Sequence, residues 1–326
     1  MTRREFIALL GGTAAVWPLA ARAQQPGAPV IGFLGSRAPG EDPQLLTAFR
    51  QGLKESNYVE GQNLVIEYRW AEGHYDRLPA LAADLVRRRV AVIAANGPAA
   101  LAAKAATATI PIVFTAGFDP VEIGLVASLN RPGGNVTGSS ILDVELGPKR
   151  LEMLHAVVPK TTTFAALVNP TDAARAEIIS RNLLAAAHTL GLQLHVLNAS
   201  TEREFDTVFA SLAQLGAGGL VIGGDPFFNS RGQQLGALSY RHAVPTIYQF
   251  RAFAAAGGLV SYGANLTESY HALGVYTGRI LKGEKPRDLT VRRVTKVEMI
   301  INLKTAKTLG LSIPLDLIGR ADEVIE

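Results

Sequence analysis

The sequence of 326 residues contains no cysteine. That absence excludes a disulfide framework, a thiolate zinc site, a thiol nucleophile and a lipid-bearing N-terminal cysteine. Charge is sparse: Asp, Glu, Lys and Arg make up 18% of the chain, below the usual quarter. The apolar fraction of 48% nonetheless excludes a disordered chain, which would combine low hydrophobicity with high net charge. Beyond the N-terminal segment there is no apolar stretch of the roughly 20 residues that a bilayer span needs.

Catalytic signatures are missing too. Gly32-Phe33-Leu34-Gly35 lacks the third glycine of a dinucleotide fingerprint, and there is no Gly-x-x-x-x-Gly-Lys-Ser/Thr loop. No Gly-x-Ser-x-Gly elbow occurs. His74, His155, His188, His195, His242 and His271 show no metal-ligand spacing, and Gly191 separates the nearest pair. These absences argue against an enzyme and call for no metal and no cofactor. The formal net charge is +4, of which residues 1–23 supply +2. The remaining basic residues are scattered, and Arg87-Arg88-Arg89 closes an apolar helical pattern where cations suit the helix dipole. Without a concentrated patch, a nucleic-acid partner is not expected.

What is present begins with an address. Arg3-Arg4 precede an apolar run from Phe6 to Ala20, and Ala21-Arg22-Ala23 offers small residues for cleavage before Gln24. The pattern resembles a twin-arginine export signal. A Sec-type signal with incidental arginines is the other reading. Either way the mature chain is expected in a bacterial periplasm, without a membrane span.

At about 150 residues per domain, the length favours two domains. From Val30-Ile31-Gly32-Phe33-Leu34-Gly35 onward, apolar runs alternate with helical patterns, such as Leu45, Leu46, Phe49 and Leu53 at spacings of one to four. The spacing predicts helices over 76–89 and from Asp119 to Asn130. A second alternating run starts at Phe164 and includes a predicted helix from Phe227 to His242. Strands separated by helices mean parallel βαβ units, and two runs mean two doubly wound α/β lobes.

Asp42-Pro43, Gly97-Pro98, Asp119-Pro120, Asn169-Pro170 and Asp225-Pro226 all stand where a strand or loop hands over to a helix. Each Asp or Asn can be a plain N-cap, and Glu122 makes a capping box at Asp119 plausible. The same positions are where parallel sheets bind ligands.

Longer strings carry a resemblance. Phe118-Asp119-Pro120-Val121-Glu122-Ile123-Gly124-Leu125-Val126 and Leu129-Asn130-Arg131-Pro132-Gly133-Gly134-Asn135-Val136-Thr137-Gly138 resemble a family of solute-binding proteins of ABC importers. So do Asp225-Pro226-Phe227-Phe228, Arg241-His242-Ala243-Val244-Pro245-Thr246-Ile247-Tyr248 and Gly257-Gly258-Leu259-Val260-Ser261-Tyr262-Gly263. Arg279-Ile280-Leu281-Lys282-Gly283 and Ile301-Asn302-Leu303-Lys304-Thr305-Ala306-Lys307 extend the match, which runs from about Val30 to Glu326.

The resemblance implies a type I periplasmic binding fold with two lobes, a hinge of several segments and a ligand in the cleft. Some relatives take tryptophan or other aromatic amino acids. It further implies a monomer serving ABC transporter permease subunits in a Gram-negative periplasm. The expected first lobe is 29–142 plus about 265–290, and the second is 143–264 plus about 291–326. Crossovers are expected near Ile141-Asp143 and Tyr262-Leu266, with a third within Lys285–Thr295.

By topology, the cleft residues follow strand carboxyl ends. In the first lobe these are Ser36, Asn96, Gly97, Thr115, Asp119 and Ser140; in the second, Asn169, Asp225, Phe227, Tyr248 and Tyr262. Ser36 and the amides after Asn96 suit a carboxylate, and Asp119 or Asp225 an ammonium. Phe227, Tyr248 and Tyr262 suit an apolar body or, equally, core packing. The pattern fits an amino acid, aromatic or branched, or a related small carboxylate. A module presenting its ligand to a membrane sensor and a secreted enzyme are the competing functions.

Overall fold

The computed structural model describes residues 27–326 except Asp42 and Leu142, so the expected export signal and the Asp42 cap lie outside the described residues. Five strands open the fold: β1 (Val30–Gly35), β2 (Val65–Trp70), β3 (Ile93–Asn96), β4 (Ile112–Ala116) and β5 (Val136–Ser140). Five more follow: β6 (Thr163–Val168), β7 (Gln193–Asn198), β8 (Leu220–Ile222), β9 (Thr246–Tyr248) and β10 (Val260–Ala264). β11 (Arg292–Arg293), β12 (Val297–Asn302) and β13 (Glu323–Ile325) complete the set.

They form two sheets. The first has the order β11-β5-β4-β3-β1-β2 with every pair parallel. The second runs β13-β12-β10-β9-β8-β6-β7 and is parallel apart from the antiparallel β10–β12 pair. Strands such as β1 and β6 are buried almost end to end because helices cover both faces. The molecule is thus two α/β lobes.

The helix Pro43–Glu55 turns Leu45, Ala48, Phe49 and Leu53 inward, as their spacing requires. Its partner is the helix Leu266–Leu281, which returns to the first lobe after β10. The chain therefore passes between the sheets three times: after β5, after β10 and between β11 and β12. β11 pairs with Ser139 and Ser140 of the first sheet and β12 belongs to the second, so the last passage falls at 294–296. One residue from each passage, Ile141, Ala264 and Val294, packs into a small buried cluster of its own.

Two predicted helices differ. Asp119 to Asn130 is a series of turns, because Gly124 takes a left-handed conformation (φ +69°) that an α-helix cannot continue through. Asp119 accepts from the amides of Val121 and Glu122 without starting a helix. A capping box does exist, but at Thr201 and Glu204. Phe227 to His242 is split into Pro226–Ser230 and Gly232–Arg241, with Arg231 out of helical geometry (ψ 13°) ahead of a glycine. The Asp76–Arg89 pattern begins as a tight turn, Tyr75–Arg77, and continues as the helix Leu78–Arg87.

Candidate functional site

Between the lobes, at the carboxyl ends of β3, β4, β5 and β9, lies a cavity of about 40 Å³. Asn96, Gly97, Thr115, Gly117, Leu266 and Tyr270 bound it from the first-lobe side. Asp143, Arg175, Pro226, Asn229 and Gln249 bound it from the second, with Ile141 at the first passage. Arg37, Asn229, Gln249 and Leu266 also line a neighbouring chamber of about 330 Å³, whose wall includes Phe250. On the other side Tyr75, Phe227 and Arg231 face an open cleft of about 940 Å³.

Of the residues expected at the cleft, Asn96, Gly97 and Thr115 line the cavity directly. Asn96 is locked: its carbonyl accepts from the Ser36 amide at 2.9 Å and its amide donates to the Tyr270 hydroxyl at 2.6 Å. Ser36 is spent on that lock. Thr115 shares a hydroxyl network with Ser269, which bonds Ser139 at 3.0 Å. Both Ser269 and Tyr270 come from the returning helix, so that helix shapes the first-lobe wall.

Asp225 stands one residue behind the lining, 2% exposed. One carboxylate oxygen accepts from Phe227 N (2.8 Å), Asn169 Nδ2 (3.0 Å) and the Tyr75 hydroxyl (2.9 Å). The other, Oδ2, is buried with no partner. Asp225 is thus both a helix cap and a buried charge. Burial raises its carboxyl above the ordinary value, while the nearby Arg175 charge opposes the rise. Burial and the Asp225 charge hold the Tyr75 phenol well above its own, so it remains a donor.

The remaining expected residues lie elsewhere. Ser140 donates to the Phe118 carbonyl. Asp119 is partly exposed, capping its loop and 3.9 Å from Arg293, outside the cavity lining. Phe227 packs against Phe205 and Phe228 and borders the open cleft. Tyr248 belongs to the second-lobe core, with only its hydroxyl reaching Asn229. Tyr262 is half-buried, and its carbonyl accepts from Arg150. The aromatic residue that does line the cavity is Tyr270.

Sequence reasoning missed the charged lining. Arg150 and Asp143 form a buried ion pair, and Arg150 Nε holds the Tyr262 carbonyl at 2.7 Å, tying the first passage to the second. The Gln249 amide donates to the Asp143 carboxylate, and Asn229 accepts from Arg37 at 3.1 Å. Gly224 allows Asp143 to approach so closely, since a Cβ there would occupy the carboxylate's place. Arg175 carried one readable signal: it is a cation in the first turn of the helix Ala173–Thr189, where the helix dipole disfavours positive charge.

Residues 41–325 match the family described as ABC transporter substrate binding protein. A tyrosine-binding protein of Clostridioides difficile (strain R20291) is 28% identical over 265 residues, covering 81% of this chain and 75% of that protein. An ABC domain in complex with L-Trp from Streptococcus pneumonia superposes with a TM-score of 0.80 at 24% identity, covering 91% of this chain and 99% of that one. A ligand-free, open substrate binding protein with adhesive properties from Clostridium difficile has the same identity and coverage but a TM-score of 0.62. Family and neighbours are solute-binding proteins, not enzymes. Among the described residues no helix is long and apolar enough to cross a membrane. The chain belongs to the ABC transporter substrate binding protein family.

Proposed function

We propose that the protein captures an amino acid, aromatic in preference to branched, between its lobes and hands it to the permease subunits of an ABC importer in a Gram-negative periplasm. The observation that carries this reading is the cavity itself: residues of both lobes meet there and bring guanidinium and carboxylate groups together in a buried space. Opposed buried charges suit a zwitterion. Tyr270, with Phe250 in the adjoining chamber, suits a planar apolar side chain.

A cavity of about 40 Å³ is too small for such a ligand, so the lobes must part to admit it. The three passages joined by the Ile141, Ala264 and Val294 cluster are the proposed hinge, with the lobes divided at 141–143, 265 and 294–296. The relatives named for tyrosine and tryptophan support the ligand class.

Native mass spectrometry of freshly purified periplasmic protein tests the reading, followed by calorimetry with tyrosine, tryptophan, phenylalanine, leucine and glutamate. Aromatic amino acids should bind tightest. Uptake of the bound amino acid should fall when the gene is deleted. Binding of none of the five, or unchanged uptake, would overturn it.

A further inference from the structure

We propose that the ligand's carboxylate sits between Gly97 and Arg175, held by a helix N-terminus of the first lobe and a guanidinium of the second. The assignment rests on the function proposed above and names the anchor within that site.

Arg175 is 5% exposed, and two of its three nitrogens are committed. Nε donates to Asp172 at 3.1 Å and Nη1 to the Gly224 carbonyl at 3.0 Å. The Phe118 ring, from the first lobe, lies 4.9 Å beneath the guanidinium. These contacts fix the plane of the group, and Nη2 is left buried without a hydrogen-bond partner. A buried donor of this kind is costly unless something accepts from it. The carboxylates of Asp172 and Asp225 outweigh the burial that would discharge it, so the arginine stays charged.

Across the cavity, Gly97 precedes the helix Pro98–Ala106 with φ +51° and no side chain to cap it. Pro98 carries no amide hydrogen, Gly97 N donates to the Thr115 carbonyl and Ala100 N to the Gly97 carbonyl, so the Ala99 amide is the first-turn donor left for a ligand at the positive end of the helix dipole. A Cβ on Gly97 would lie 3.8 Å from Arg175 Nη2. The absent side chain keeps the narrow gap between the two donors clear, where a Cβ would also lie only 3.1 Å from Pro226 Cγ. A carboxylate there answers both at once and, because each belongs to a different lobe, bolts the lobes together. The prediction is that closure depends on the ligand's carboxylate, not on its ring.

Calorimetry and solution scattering on wild type, Arg175→Met and Arg175→Lys test this with L-tryptophan, 3-indolepropionate and tryptamine. Wild type should bind both carboxylates at least 30-fold more tightly than the amine, and only the carboxylates should contract it. Arg175→Met should lose that preference while retaining tryptamine binding, and Arg175→Lys should fall between. If the Met variant melts near room temperature, the Lys variant decides: full retention of carboxylate affinity and contraction counts against the anchor. A folded Met variant that still binds tryptophan as wild type does overturns the anchor and leaves the function standing. If wild type binds no amino acid, the function reading fails. The anchor then stands only if indolepropionate binds and Arg175→Met abolishes it, and falls if no carboxylate binds.

Discussion

The Tyr75 hydroxyl of the first lobe donates to Asp225 Oδ1 of the second at 2.9 Å and accepts from the Phe227 amide at 3.1 Å. One phenol thereby joins the lobes through two hydrogen bonds beside the cavity. A hydrogen bond to a charged group contributes about 1.5–3 kcal/mol. Tyr75→Phe removes both bonds and keeps the ring, so the closed form should lose stability of about that size. The variant should show a larger radius of gyration and ligand binding weaker by roughly ten- to a hundred-fold. Unchanged scattering and affinity would remove Tyr75 as a latch.

Asp225 makes a prediction about pH. Its carboxyl is raised in the fold, chiefly by burial, above the ordinary 3.8. The folded protein therefore holds that proton more tightly than the unfolded chain. Its contribution to stability is fully present below 3.8 and is lost as pH rises through the folded value. Asn has no such titration and can still accept from the Phe227 amide as a cap. The stability of wild type relative to Asp225→Asn should thus decline as pH climbs from the acid side. Denaturant titrations of both proteins across that range measure the difference, and a pH-independent offset would contradict the burial argument.

The alternation of strands and helices was legible because parallel strands buried on both faces read as short apolar runs, as in Val30–Gly35 and Thr163–Val168. The turn at Gly124 was not, since a helical pattern and a turn series share the same apolar spacing there. β12 was not legible either, because it follows β11 with no helix between them to mark its start. Within the site, strand ends were readable and yielded Asn96, Gly97 and Thr115. Asp143, Asn229 and Gln249 were not, because they lie far apart in the chain and only the folding of the second lobe brings them together. Tyr75 and Tyr270 reach the site from a loop turn and from a helix that returns across the hinge.

Arg231 and Glu41 pair across the lobes at 2.6 Å, each side chain 18% exposed. Arg231 also meets Glu202 at 3.0 Å and lies over Phe227. Pairs this near solvent contribute roughly 0–1 kcal/mol and weaken with salt. Glu41→Gln should therefore loosen ligand binding by no more than about five-fold at low salt. Wild type and variant should converge as ionic strength rises. A gap that persists in high salt would mean that Glu41 acts through something other than this pair.

The helices Pro43–Glu55 and Leu266–Leu281 touch backbone to backbone at Gly52 and Gly274. A Cβ on Gly274 would run into the Phe49 carbonyl and the Leu53 amide, which cannot move aside as a flexible side chain would. Overpacking of this kind costs about 1–3 kcal/mol, so Gly274→Ala should lower the melting temperature. Gly319→Ala is the control, because nothing lies near its Cβ and its helix Leu315–Arg320 tolerates alanine. The more telling outcome concerns binding. Ser269 and Tyr270 on the same helix hold Thr115 and Asn96 at the cavity, so a helix pushed outward should displace both. Ligand affinity should fall in Gly274→Ala at temperatures where the variant is fully folded, although Gly274 is not among the cavity's lining residues. Loss of stability with unchanged affinity would show that the returning helix supports the first lobe without shaping its wall.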